Sequence, residues 1–209
     1  MFDIEYKGGN TVVIATKKSK LVTDPKLSLV GLKDLEPKGM VSLSTEPRFE
    51  VPSAEATLAI EGPGEYEVGD FSIRGIPARR HIDTEGFGST AYRIEVGDVR
   101  IALIGNIDPK LNDEQLEEIG VVDIVILPVG GGGYTLDATA AAHLVRQIDA
   151  KVVVPVHYAD KALKYEVPQD ELEVFHKELG GDIETVDKLK VKAASSLPLV
   201  STIYKLARG

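Results

Sequence analysis

Cysteine is absent from this 209-residue chain. Disulfides, thiolate metal sites and a cysteine nucleophile are therefore excluded. No apolar run approaches the ~20 residues that a membrane-spanning helix requires. A basic balance is missing too: Lys and Arg number 24 against 33 Asp and Glu, a formal charge of −9. That argues against a nucleic-acid groove or an anionic membrane surface as the main partner. The start, MFDIEYKGGN, lacks a basic-then-apolar leader pattern, so a cytoplasmic location is expected. No Gly-x-Ser-x-Gly elbow occurs. Gly130–Gly133 lacks the spaced Gly-Lys-Ser/Thr of a phosphate loop.

What is present organises around Val121–Asp160. Val122–Leu127 is an apolar run interrupted only by Asp123, as in a strand covered on both faces. Pro128–Gly133 ends it. Thr135 is the expected N-cap of the next helix, with Asp137 in its first turn. Leu136, Ala140, Leu144 and Ile148 recur at helical spacing. Lys151–Val156 reads as a second strand, parallel to the first, with His157 at its end. Sites in open α/β sheets form at such carboxyl ends.

Upstream, the pattern is of short strands and hairpins. They are expected over Phe2–Tyr6, Thr11–Thr16, Leu21–Thr23, Met40–Leu43 and Ala56–Ile60. Glu65–Val68 with Phe71–Ile76 and Ala91–Val96 with Val99–Ile104 form two hairpins, while Pro77–Thr90 reads as a surface loop. Tyr92, Ile94 and Val96 share one buried face. Glu65 and Glu67 share a face read as solvated. Downstream, helices are expected over Asp113–Ile119 and Pro168–Leu179, with Gly180 as terminator. Ile183–Val186, Leu189–Val191 and Val200–Leu206 close the pattern. The fold class is α/β (α+β): one domain over residues 1–209, two sheets with helices outside.

Four histidines are candidates for chemistry. His143 falls opposite the apolar arc of its helix and reads as solvated. His176 sits at the edge of an apolar face. His81 lies in a loop before a strand, and His157 stands at a strand end, the preferred location. Gly131, Gly132 and Gly133 precede a helix and offer backbone N–H groups to an anion, against the simpler reading of a tight turn.

The pieces IEYKGGNTVVIATKKSKLVTDP, EGPGEYEVGDFSIRGIPA, STAYRIEVGDVRIALIGNID, VDIVILPVGGGGYTLDATAAA and AKVVVPVHYAD resemble, in order, the metallo-β-lactamase superfamily, in its compact branch related to ascorbate-6-phosphate lactonase. The resemblance implies a four-layer αβ/βα sandwich with a metal site at one edge of the two sheets. It also implies a His-x-His-x-Asp-His motif, which falls here on Thr45, Pro47, Phe49 and Glu50. The further ligand positions fall on His81, Asn106 and His157, and a supporting aspartate on Asp24. Asp108 and Glu50 could add oxygens.

Two histidines thus remain of the implied set. A catalytic zinc generally takes three protein ligands plus water, so no metal is expected. The alternative is a single zinc or manganese ion on His81 and His157. The expected function is a non-catalytic, metal-independent homologue of metal-dependent hydrolases. The alternatives are a reduced-site hydrolase of a phosphorylated lactone or phosphoester, and a metal-free binder of a small anionic ligand. A homo-oligomer is compatible with all three.

Overall fold

A computed structural model describes residues 1–82 and 88–209. The chain begins with β1 (Phe2–Gly8), β2 (Thr11–Ala15), β3 (Lys20–Thr23), β4 (Val41–Leu43) and β5 (Leu58–Ile60). A meander follows: β6 (Gly64–Val68), β7 (Phe71–Ala78), β8 (Ser89–Val96) and β9 (Val99–Leu103). Helices and strands then alternate: α1 (Asp113–Ile119), β10 (Ile124–Pro128), α2 (Ala138–Ile148), β11 (Val152–Val156) and α3 (Leu172–Leu179). The chain closes with β12 (Asp182–Val186), β13 (Leu189–Val191) and β14 (Thr202–Leu206).

The strands build two sheets, in the order β13-β1-β2-β3-β4-β5 and β12-β14-β11-β10-β9-β8-β7-β6. β10 pairs in parallel with β9 on one side and β11 on the other. Its uninterrupted apolar sequence has a direct reason. Ile124 and Ile126 face the core between the sheets, while Val125 and Leu127 face the helices. Neither face meets water, so neither carries polar residues. The core between the sheets takes Ile4, Ile14, Leu21 and Leu43 from one side, and Tyr92, Ile94, Ile101 and Val154 from the other. The second core lies under the helices, where Ala141, Leu144 and Val145 of α2 and Phe175 of α3 cover Val125, Val153 and Ile203. This is the mixed α/β architecture expected from the sequence.

Three local expectations are corrected. The N-cap of α2 is Asp137, whose carboxylate accepts the Ala140 N–H at 2.7 Å. Thr135 is fully buried, with its hydroxyl unpartnered, so it cannot serve there. α3 begins at Leu172 rather than Pro168, because Pro168 and Gln169 pack against Gly132. Pro77, Ala78, Ser89 and Thr90 belong to strands β7 and β8. The rest of the loop expected over Pro77–Thr90 includes residues 83–87, which lie outside the described residues. His143 is exposed, and His176 Nε2 hydrogen-bonds with the Gly181 carbonyl at 3.0 Å. Among the described residues no helix is long and apolar enough to cross a membrane.

Candidate functional site

Five chain segments converge at one edge of the sheets: the β1–β2 turn, the end of β3, the stretch after β4, the stretch after β9, and the end of β11. The two sheets are joined there by the His157 N–H, which donates to the Gly9 carbonyl at 2.9 Å. Two non-glycine residues at this edge hold left-handed backbone, Asp24 at φ 44° and His157 at φ 51°. Such residues cost roughly 1–2 kcal/mol each and persist where surrounding contacts over-determine them. For Asp24 those contacts are visible. Its N–H donates to the Leu43 carbonyl at 2.8 Å, and its own carbonyl accepts the Thr11 hydroxyl at 2.5 Å.

The Asp24 carboxylate is buried and takes both its bonds from Thr45, one from the backbone N–H and one from the hydroxyl, each at 2.7 Å. Burial pushes this carboxyl up to about 7, against the opposite pull of those two donors. Thr45 in turn accepts the Thr90 N–H at 2.8 Å and the Ser89 hydroxyl at 2.9 Å on its carbonyl. Gly105 backs the same residue: a Cβ there would sit 2.7 Å from Thr45 Cβ.

Glu46 follows, only 3% exposed. Its Oε2 lies 3.3 Å from both Arg48 Nε and Arg80 Nε. Burial raises its carboxyl, and the two guanidinium groups oppose that rise. Arg80 Nε also donates to the Gly88 carbonyl at 3.1 Å, and Arg48 stacks over the Phe49 ring at 4.7 Å. Beside this cluster, Asn10 Nδ2 donates to Asn106 Oδ1 at 3.0 Å, and the His81 N–H donates to the Asn106 carbonyl at 3.0 Å. Asn106 Nδ2 is oriented toward Glu46 without completing a hydrogen bond of good geometry.

His157 faces the cluster from β11. Its Nδ1 contacts Gln169 Oε1 at 3.2 Å, and Gln169 Nε2 donates to the Val167 carbonyl at 3.1 Å. Gln169 Oε1 is therefore an acceptor, so the imidazole proton sits on Nδ1 and the lone pair on Nε2. Burial, aided by the nearby Arg48 charge, pushes the imidazole down to about 4, so it is neutral at pH 7. Its ring meets Tyr165 edge-on at 4.7 Å. A cleft of about 40 Å³ opens between His157 and Arg48, walled by Phe49, Tyr134, Tyr165 and Val167.

The structure thus brings Asp24, His81, Asn106 and His157 to one edge. It turns two other candidates elsewhere. Asp108 Oδ1 accepts the Lys110 N–H at 2.8 Å and lines a separate groove with Arg79 and Asn112. Glu50 lies beside Glu61 and Lys26. The glycine loop packs closely at Gly131 and Gly132 and is open at Gly133: the Gly131 N–H donates to the Leu136 carbonyl at 2.9 Å. A Cβ at Gly132 would sit 2.8 Å from the Pro168 carbonyl. Asn10, Glu46, Arg48 and Arg80 were not anticipated. The available signal was slight: Glu46 and Arg48 stand beside Thr45 and Pro47, on which the implied motif falls, within one short segment. Among the described residues no group of three His, Asp or Glu side chains is placed to hold a metal ion.

A family model described as "Beta-lactamase superfamily domain" matches residues 3–157. No curated protein matches the chain. Among solved structures, the fold superposes on a Thermotoga maritima protein assigned to the Zn-dependent hydrolases of the metallo-beta-lactamase superfamily. The TM-score is 0.74 at 20% identity, over 99% of this chain and 100% of that one. A metallo hydrolase from the archaeon Ignicoccus hospitalis matches at TM-score 0.62 and 16% identity, over 85% of this chain and 90% of that one. A Parabacteroides distasonis protein classed as a metal-dependent hydrolase matches at 0.63 and 15%, over 86% and 88%. At these identities the likeness speaks for the fold alone.

Proposed function

The chain belongs to the beta-lactamase superfamily, and from that premise we propose that it is a metal-independent, non-catalytic member whose former metal edge is a binding cleft. In this reading residues 1–209 act as one domain, related to the ascorbate-6-phosphate lactonase branch but with a degenerate motif. One observation carries it: Glu46, a buried carboxylate at this edge, is shared by Arg48 and Arg80 at 3.3 Å each.

A hydrolytic zinc or manganese ion does not fit these residues. The motif positions hold a threonine committed to Asp24, a proline and a phenylalanine, and only Glu50, turned toward Glu61 and Lys26, carries a ligating group. Asn106 is a neutral amide already bonded to Asn10, where an anionic bridge would be needed. Two permanent cations stand beside Glu46, and a divalent ion placed there meets their repulsion. What remains is a pair of histidines, fewer than the three ligands a catalytic zinc takes.

Elemental analysis tests the reading. Protein produced with added zinc and manganese, then desalted, should carry well under one equivalent of either metal. A stoichiometric ion that survives dialysis overturns it.

A further inference from the structure

We propose that the cleft between Arg48 and His157 binds a small organic monocarboxylate, its carboxylate gripped by Arg48 and its apolar body laid against Phe49 and Tyr165. This rests on the metal-free reading above and deepens it by naming the ligand class.

The first argument is charge. Arg48 and Arg80 share one carboxylate, Glu46, so the three groups together carry one positive charge in excess. This occurs in a chain whose formal charge is −9. That local positive excess favours an anion beside Arg48. Asp24 nearby, held up at about 7, and Glu166 at the cleft wall add negative charge of their own, so a doubly charged phosphate meets more repulsion than a monoanion does.

The second argument is hydrogen bonding. Arg48 Nε is buried and, 3.3 Å from Glu46 Oε2, completes no hydrogen bond of good geometry. Buried donors without partners are rare in native proteins, because each costs about 1–3 kcal/mol. Asn10 Oδ1, His81 Nδ1 and Asn106 Nδ2 are also buried and unpartnered, but these residues do not line the cleft. A polar guest beside Arg48, which does line it, completes the bonding of that guanidinium. Arginine suits a carboxylate because its planar fork donates two parallel N–H bonds.

The third argument is the wall. Val30, Phe49, Tyr165 and Val167 are apolar or aromatic, and His157 is neutral. Such walls favour a hydrocarbon body over a sugar. The free space of about 40 Å³ admits a carboxylate headgroup, with the body extending along the open side.

The test is an amide NMR titration of the wild-type protein with benzoate and butyrate, against benzamide and inorganic phosphate, on a sample whose metal content is measured. Saturable shifts at Phe49, His157, Tyr165 and Gln169 are expected with at least one carboxylate. Benzamide and phosphate should bind at least tenfold more weakly. Arg48→Gln should abolish the response, and Glu46→Gln should tighten it at least threefold, because a competing carboxylate is gone. A merely structural Arg48 would not produce that second change. If either variant fails to fold, the wild-type comparison still decides. Benzamide binding as tightly as benzoate, or a response lost on adding a chelator, overturns the inference. A metal-free sample with no carboxylate response overturns it alone, while a metal-loaded sample overturns the reading beneath it.

Discussion

Asp24 gives both carboxylate oxygens to a single residue, Thr45, accepting its backbone N–H and its hydroxyl at 2.7 Å each. Through Thr45 the contact passes to Ser89 and Thr90, so a carboxylate at the end of β3 holds the post-β4 segment against the start of β8 in the other sheet. A buried carboxylate stripped of one donor loses stability out of proportion to one bond. Thr45→Val keeps the shape and removes the hydroxyl. It should cost about 1–3 kcal/mol, seen as a lower urea midpoint with an unchanged slope. An unchanged midpoint would mean that Asp24 is satisfied some other way.

The same aspartate and His157 make a pair of opposed titrations. Asp24 is held up at about 7 in the fold, against an ordinary value of 3.8. Between those limits the folded chain keeps a proton that the unfolded chain has released, so this contribution to stability falls as pH rises. His157 is held down at about 4, against 6.5. Over that span the unfolded chain holds a proton that the folded chain lacks, so this contribution grows as pH rises. Each is worth at most about 3–4 kcal/mol, less for His157 because its ring is partly exposed. The wild type should therefore change little in stability between about pH 4 and 6.5 on account of these two groups. Asp24→Asn should uncover a rise over that range, and His157→Asn, which tolerates left-handed backbone, a fall. Denaturant midpoints at four or five pH values read this. Two variants with slopes of the same sign would refute it.

Strand β10 was legible because a strand buried on both faces has no choice but an unbroken apolar run. α2 was legible from its period, yet its start was misplaced by the competition of two cap-forming residues. Thr135 and Asp137 are equally good caps locally, and only burial of the first decides between them. Pro168 misled for a similar reason: a proline that suits a first helical turn serves instead to seat the glycine loop. At the site, His81 and His157 were readable from position. The Glu46–Arg80 contact joins groups 34 residues apart in sequence, and the Asn10–Asn106 bond spans 96. No local pattern reports a pairing that only the stacking of two sheets creates.

The glycine loop separates packing from ligand binding. A Cβ at Gly130 would lie 2.3 Å from the His157 carbonyl, a contact that no rotamer relieves. Gly133 has φ +81° but nothing within 4 Å. Gly130→Ala should therefore destabilise by about 3 kcal/mol or more, as overpacking against backbone does. Gly133→Ala should cost only the roughly 1–2 kcal/mol of left-handed backbone. Thermal melts of the two variants check this. Equal losses would mean that the close approach at Gly130 costs no more than the left-handed backbone of Gly133.

The Glu46 cluster makes a prediction in which two losses cost less than one. Glu46→Gln leaves Arg48 and Arg80 facing each other with their shared carboxylate gone. Removing one member of a buried ion pair costs about 3–5 kcal/mol. The arginine side chains are each 33% exposed, so solvent screens part of that and the low end applies. Removing Arg80 as well takes away the repulsion, so the double variant Glu46→Gln, Arg80→Gln should recover part of the loss. A double-mutant cycle in urea should give a coupling free energy of about 1–3 kcal/mol. If the double variant is merely as unstable as the sum of the single ones, the carboxylate does not bind Arg80 electrostatically. The charge argument for a monoanion beside Arg48 would then lose its basis, because the cluster would no longer act as one unit with a single positive charge to spare.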